Sequence, residues 1–268
     1  MFGAGELEPT ARRQLAELGL DAEASGRIRY DTGERERKRP RAFCAPVRVP
    51  DEVYLVIRPH GGYVDYRAFW HELGHALHFA NAARDLAFEH RWLGDNSVTE
   101  AYAMLFEHVL LVSEWLTRYT ILRGDRLRAF LRAQLFAYLA IVRRYAAKLC
   151  YEVELHRAPS LEAGASRYAE ILTAGTGFRY ASEDALLDLD DGFYAARYLR
   201  AWQLEATLRS HLTERFDVDW FRNPRAGPAV LDLLARGQKD DAATLAREVL
   251  GRPLGFAPLV AACEAALA

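Results

Sequence analysis

The five residues His71-Glu72-Leu73-Gly74-His75 decide how this chain is interpreted. On a helix, residues four positions apart lie on the same face, so the two histidines can bind one metal ion. Glu72 follows the first histidine, where its carboxylate can take a proton from water held at an open position of the metal. The pentapeptide therefore predicts a zinc site with hydrolytic chemistry.

The flanking sequence predicts that the pentapeptide lies within a helix. Asp65 is a candidate N-cap upstream, and the segment 76–80 continues the apolar periodicity without a proline. His78 lies near the face of His71 but too far along the axis to share its metal, which favours a supporting or core role.

A catalytic zinc site needs a third protein ligand and an open fourth position. Glu100 is the best candidate, because it follows His75 by 25 residues on a second amphipathic helix. A loop around 93–95 would fold that helix back against the first. An alternative stays open, since Ser97 and Glu100 also have the spacing of a capping box, which needs no metal. Glu107, two turns later, either orients a ligand or pairs with an arginine.

The stretch from His71 to His78 reads HELGHALH, and Glu100 follows on a later helix. This pattern resembles the HExGHAxH motif and later helical glutamate of the thimet oligopeptidase and oligoendopeptidase F family of zinc peptidases. Weaker likenesses extend over roughly residues 28 to 268, including the segments 31–38, 41–44, 53–57, 193–202, 227–237 and 250–254. The resemblance implies a mainly α, multi-helix, zincin-like catalytic domain with one small β-hairpin or sheet.

The resemblance also implies roles for two tyrosines. Tyr198 and Tyr194 would offer hydroxyl groups to the oxyanion formed at the scissile carbonyl. Since they are four residues apart on one predicted helix, a buried aromatic stripe is the alternative. The segment 173–192 lacks the histidine that the family usually carries before its tyrosine helix. Family members are usually about twice as long and have an N-terminal helical lobe, so we expect this chain to correspond to the catalytic portion.

Pattern and composition predict the organisation of the chain. We expect an N-terminal helix and linker over 1–30 and a catalytic domain over 31–268. Strands are predicted at 42–49 and 53–57, able to pair as a hairpin. Helices are predicted around 12–18, at the zinc motif, around Glu100, and at 125–156, 194–215, 228–235, 242–250 and 257–267, with Ser160 capping one more.

Charge, cysteines and the N-terminal sequence bear on partners and location. A net charge of −2 gives no reason to expect nucleic acid binding. Three widely spaced cysteines without a CxxC pair suggest reduced thiols in a cytoplasmic protein. The N-terminus lacks a signal-peptide pattern, and the apolar stretch 133–142 is too short to cross a membrane.

These observations predict zinc-dependent hydrolysis of short peptides, with Zn²⁺ bound by His71, His75 and Glu100, and with Glu72 as the general base. The strand at 53–57 would align an extended peptide through backbone hydrogen bonds. Two alternatives stay open. One is a zinc carboxypeptidase, which needs a basic clamp for the terminal carboxylate; the other is a non-catalytic, metal-bound helical module. A peptide substrate is the one partner expected, and the oligomeric state cannot be read from the sequence.

Overall fold

Three short strands form a small sheet beside the helix that carries the two histidines. The computed structural model describes residues 2–20, 26–39 and 41–267. The strands are β1 (Ile28–Asp31), β2 (Phe43–Arg48) and β3 (Glu52–Val56), in the order β1-β3-β2. The β2–β3 pair is antiparallel, which confirms the predicted hairpin, and β1 is parallel to β3.

The position of β3 corrects one prediction about substrate binding. Because β3 is the central strand, its backbone groups are used by β1 and β2 and cannot also bind a peptide. Among the described strands, β2 is the edge strand that lies next to the histidine-bearing helix. The sequence did not reveal β1, because two of its four residues are charged and the strand lies inside a polar segment.

Most of the described chain is helical, which confirms the predicted mainly α fold with one small sheet. The helices are α1 (Leu7–Leu18), α2 (Tyr63–Asn81), α3 (Phe88–Trp92), α4 (Asn96–His108), α5 (Ser113–Tyr119), α6 (Gly124–Arg157), α7 (Leu161–Ala165), α8 (Tyr168–Thr176), α9 (Tyr194–Phe216), α10 (Ala226–Ala235), α11 (Ala242–Thr244) and α12 (Ala257–Leu267). A π-helical turn, Leu245–Val249, continues α11.

The ends of several helices follow from local hydrogen bonds. Gly62, at a φ of 96°, is the N-cap of α2, one turn before the predicted cap. Asp65 instead accepts hydrogen bonds from the amides of His60 and Gly61, at 2.5 and 2.8 Å, and so ties the preceding loop to the first turn. Ser160 caps α7 as predicted, since its side chain accepts from the amide of Ala163.

Sequence reasoning missed the helices α3, α5 and α8. They contain five, seven and nine residues, which is too few for a 3.6-residue periodicity to stand out from its surroundings. It also placed the start of the first helix at Arg12, whereas α1 begins at Leu7. The buried side chain of Gln14 explains how α1 is held: its Oε1 accepts hydrogen bonds from the indole nitrogens of Trp70 and Trp115.

The helices α2 and α4 pack unusually closely, and this contact positions the two histidines of α2 relative to Glu100 of α4. Gly74 lies on α2 between the two histidines. A Cβ atom at this position would lie 2.5 Å from both the Cα of Ala103 and the carbonyl oxygen of Tyr102 on α4. Only a residue without a side chain allows the two backbones to approach this closely. The glycine in the motif therefore sets the separation between the histidines and Glu100.

We expect Gly74→Ala to destabilise the protein and to weaken zinc binding, because the new methyl group pushes α2 and α4 apart. Overpacking of this kind typically costs about 1–3 kcal/mol. Chemical unfolding of the metal-free protein and a zinc titration measure the two effects. Gly255→Ala is the matched control, since a Cβ at Gly255 meets no atom within 4 Å. Wild-type stability and zinc affinity in Gly74→Ala would contradict this role of the glycine.

Candidate metal centre

The structure brings His71, His75 and Glu100 together as the sequence predicted. The Nε2 atoms of His71 and His75 lie 3.4 and 3.7 Å from Oε2 of Glu100, and one donor atom from each residue lies within 4.8 Å of the others. Donor atoms bound tetrahedrally to zinc at about 2.1 Å lie about 3.4 Å from one another. The spacing of the three side chains therefore fits a zinc ion.

Both histidines are anchored through the ring nitrogen that faces away from this centre. Nδ1 of His71 is 2.8 Å from Oε2 of Glu107, and Nδ1 of His75 is 2.9 Å from Oγ1 of Thr99. Such contacts fix the ring orientation and leave Nε2 free for a metal. Glu107 fulfils both of its predicted alternatives, since its Oε1 is 3.4 Å from Nε of Arg67. Thr99 was missed, and no sequence signal distinguishes it from other polar residues on α4.

The capping-box alternative for Glu100 is wrong. The N-cap of α4 is Asp95, whose side chain accepts a hydrogen bond from the amide of Ser97. The Ser97 hydroxyl and Oε2 of Glu100 are both buried without a hydrogen-bond partner among the described residues. The charge on this carboxylate oxygen is met by the two histidine nitrogens at 3.4 and 3.7 Å, which is longer than a charged hydrogen bond, so its burial remains costly. A cation bound between this oxygen and the two imidazoles would remove that cost.

The electrostatics of the three residues also fit a metal centre. Burial lowers the pKa of His75 to about 3, so this imidazole is neutral and has a lone pair to donate. Burial also acts to lower the pKa of His71, but Glu100 and Glu107 outweigh it and raise the pKa to about 10. A proton on His71 thus occupies the place that a metal would take. Metal binding would release that proton.

Glu72 is held beside this centre by the sheet. Its Oε2 accepts a hydrogen bond of 2.8 Å from the backbone amide of Cys44 on β2. Its other carboxylate oxygen makes no hydrogen bond to a described residue. Burial raises the pKa of Glu72, which makes the carboxylate a stronger base. The contact from Cys44 was not anticipated, because a backbone donor leaves no signal in the sequence.

The two predicted tyrosines lie on α9 and line the same cleft as the metal centre. Their hydroxyl oxygens are 3.5 Å apart. Burial, followed by the charge of Glu100, raises the pKa of Tyr198, so its hydroxyl stays protonated and can donate. Its ring also packs against Tyr145 and Trp202, with centroids 5.2 and 6.0 Å away. Tyr198 is therefore part of an aromatic cluster and a hydroxyl donor near Glu100.

The cleft that contains the metal centre has a volume of about 500 Å³. Besides the three candidate ligands, it is lined by Glu72, both tyrosines, and two arginines, Arg41 and Arg67. His78 does not line it. This histidine is buried and its ring packs against Tyr102, with centroids 4.8 Å apart, which places it in the core.

Comparison with known proteins shows which fold this is. No family model and no curated protein sequence matches the chain. Among solved structures, it is similar to metallocarboxypeptidase 1 of Trypanosoma cruzi, with a TM-score of 0.66 and 15% identity over 99% of this chain. It is also similar to the structure of BsuCP, with a TM-score of 0.66 and 16% identity over 98% of this chain. A candidate peptidase of Chlamydophila abortus has a TM-score of 0.66 and 15% identity over 98% of this chain.

These likenesses show that the chain has the fold of metallopeptidase catalytic domains. The chain spans 58%, 58% and 44% of the lengths of those three proteins. At this level of identity the comparison shows the fold and does not select the oligoendopeptidase F family. Within the described residues, no helix is both long and apolar enough to cross a membrane.

We expect Glu100→Ala to weaken zinc binding far more than Glu107→Ala or Thr99→Val. The first substitution removes a donor atom, whereas the others release only the orientation of a histidine, an effect typically worth about 10- to 100-fold in metal affinity. Competition with a zinc chelator measures all three.

Asp95→Ala is the matched control on the same helix. It removes the N-cap that the structure shows and a hydrogen bond from the amide of Ala242, so it should lower the free energy of unfolding by at least about 1 kcal/mol and leave zinc affinity unchanged. Zinc affinity equal to the wild type in Glu100→Ala would exclude Glu100 as a ligand.

Proposed function

We propose that this protein hydrolyses peptide bonds in short peptides with the help of a zinc ion bound by His71, His75 and Glu100. The observation that carries the proposal is the placement of Glu72. Its carboxylate is fixed by the amide of Cys44 next to three donor atoms with zinc spacing, and all four side chains line one cleft. The peptidase fold of the similar structures supports the same reaction.

Each side chain has a separate task in this proposal. When bound, zinc would supply a Lewis acid that polarises the scissile carbonyl and acidifies water. Glu72 takes the proton of the attacking water and then delivers it to the leaving nitrogen. Its hydrogen bond from Cys44 keeps one oxygen in place, so the other is the one that moves the proton. Glu107 and Thr99 hold the imidazoles in orientation throughout.

Tyr198 is the better placed of the two tyrosines to stabilise the oxyanion. Its hydroxyl is close enough to Glu100 to contribute to the lowered pKa of that carboxyl group, so it lies beside the proposed metal position. Tyr194 contacts the hydroxyl of Tyr198 and helps to orient it. Hydroxyl donors directed at a developing negative charge lower the barrier because they need no reorganisation during the reaction.

The edge strand β2 is the element that would align a peptide. It is hydrogen-bonded to β3 on one side, and its Cys44 also holds Glu72. The adjoining residues Arg41 and Ala42 line the cleft. An extended peptide lying along this edge would pass over the candidate metal centre, and it would pair with backbone carbonyl groups of β2, because the Cys44 amide already holds Glu72 and Pro46 has no N–H. This geometry favours an oligopeptidase, as the likeness of the zinc motif to the oligoendopeptidase F family also implies.

We expect Glu72→Gln to keep the fold and bound zinc but to lose at least about a hundredfold in peptide hydrolysis. An amide cannot accept the proton of water, and general base catalysis is typically worth that factor or more. Turnover of quenched fluorescent peptides, together with metal analysis, measures both properties. Glu183→Gln, the same change at an exposed glutamate, is the control and should retain wild-type activity.

Equal, chelator-sensitive turnover in Glu72→Gln and the wild type would exclude Glu72 as the base. If zinc binds but the wild type cleaves no peptide in a broad library, the protein is the non-catalytic metal-bound module instead.

A carboxypeptidase is the second candidate, and Arg41 is the observation that favours it. The sequence could not select a clamp for a terminal carboxylate among its many arginines, whereas the described part of the cleft contains only Arg41 and Arg67. Arg67 lies 3.4 Å from Glu107, while Arg41 is exposed and forms no ion pair with a described residue. Arg41 is thus the cation that a terminal carboxylate can reach.

If the enzyme is a carboxypeptidase, amidation of the peptide C-terminus should lower kcat/KM at least about tenfold, and Arg41→Gln should abolish this difference. The control is Arg48→Gln, at the other end of β2, where the side chain is 72% exposed and pairs with Glu52. If amidated and free-acid peptides are cleaved equally well by the wild type, the oligopeptidase assignment holds and Arg41 is not a carboxylate clamp.

A further inference from the structure

A second pocket, of about 320 Å³, lies next to the cleft, and His108, Leu111 and Tyr138 line both. It is bounded by residues of α6, α9 and α12 and by the segment after α4. The candidate metal ligands, Glu72 and the two α9 tyrosines do not line it. The second pocket is therefore a separate site that the proposed hydrolysis does not use.

Arg209 gives this pocket a cation, and only part of its hydrogen-bonding capacity is taken up by described residues. Its Nε donates a hydrogen bond of 2.7 Å to Oε1 of Glu205, a carboxylate with only 1% of its side chain exposed. The two terminal guanidinium nitrogens make no hydrogen bond to a described residue. Glu205 thus fixes the guanidinium through one edge. The other N–H groups are left for a ligand, in a geometry that suits a carboxylate.

The remaining lining adds an anion and an apolar wall. Glu114 lines the pocket, and its Oε2 accepts a hydrogen bond of 2.8 Å from the Ser113 hydroxyl. The apolar part is formed by six aliphatic residues, Leu111, Val112, Leu131, Leu135, Val218 and Ala262. A ligand that satisfies this lining carries a carboxylate, a cationic group and an aliphatic side chain within a small volume.

We infer that the second pocket binds a free α-amino acid with an aliphatic side chain. Its carboxylate would pair with Arg209, its ammonium group with Glu114, and its side chain would pack on the leucines. The C-terminal residue of a peptide shares the carboxylate and the side chain but has no ammonium group. The inference goes beyond the proposed function: a carboxypeptidase would release such amino acids, whereas an oligopeptidase would release shorter peptides, and neither reaction is needed for binding at this pocket.

Calorimetric titration with three probes distinguishes these ligands. The titrations use the zinc-loaded wild type and the His71→Ala/His75→Ala variant, in which no bound metal can attract a carboxylate. We expect leucine to bind, and both leucinamide and N-acetylleucine to bind at least about tenfold more weakly, as the loss of a charged hydrogen bond predicts. If N-acetylleucine binds as tightly as leucine, the ligand is a peptide terminus and the assignment to a free amino acid is overturned.

Variants of the pocket locate the binding. Arg209→Met alone would leave Glu205 buried without its partner, so the double variant Arg209→Met/Glu205→Gln removes both charges together. Val218→Trp fills the pocket from a residue that is 44% exposed, and leaves the charged groups unchanged. Val260→Trp is the matched control, because Val260 is 47% exposed but does not line the pocket.

Leucine affinity should fall at least about tenfold in the double variant and in Val218→Trp, and should stay at the wild-type level in Val260→Trp. Unchanged affinity in both pocket variants, or no leucine binding by the wild type, overturns the inference. Leucine binding and peptide hydrolysis are measured separately. If the wild type hydrolyses peptides but does not bind leucine, only the inference about the second pocket is wrong. If it binds leucine but hydrolyses no peptide, only the proposed function is wrong.

Discussion

The close contact between α2 and α4 at Gly74 is the constraint on which the candidate metal centre depends. Each helix carries part of the donor set, and neither can form the site alone. Because Gly74 has no side chain, the backbone of α2 lies against Ala103 of α4, one turn after Glu100. The carboxylate then falls within 3.4 and 3.7 Å of the two imidazole nitrogens. The motif therefore contains two candidate ligands and also the glycine that determines how closely α2 and α4 pack.

The same pair of helices supplies the groups that orient the candidate ligands. Thr99 and Glu107 lie on α4 beside Glu100 and contact the histidines of α2 from behind. One helix thus provides a donor atom to the candidate centre and orients the imidazole rings that carry the other two. The sheet adds the remaining element, since the amide of Cys44 holds Glu72. Three elements of secondary structure converge on a site built from few residues.

The sequence predicted the parts of this site that depend on periodicity and missed those that depend on long-range contacts. His71, His75 and Glu100 could be expected to lie together, because helical spacing places the two histidines on one face and a zinc site needs a third protein ligand. Thr99 and the Cys44 amide could not, because their contacts follow from how two elements meet. The long helix α6 was predicted to within a residue at either end, whereas β1 was missed for its short length and charged residues. The separation between α2 and α4 likewise appears only in the fold.

The distribution of charge in the cleft favours a bound cation. Glu72, Glu100 and Glu107 all face it, and the charge of Glu100 adds to the burial that raises the pKa of Glu72. Without a metal, a proton on His71 is the nearest compensating charge, and Glu100 and Glu107 raise the pKa of His71 for that reason. A divalent ion would neutralise the centre more completely. In the proposed mechanism this would leave Glu72 as the carboxylate free to accept a proton, so the charges that favour a bound metal would also select the base.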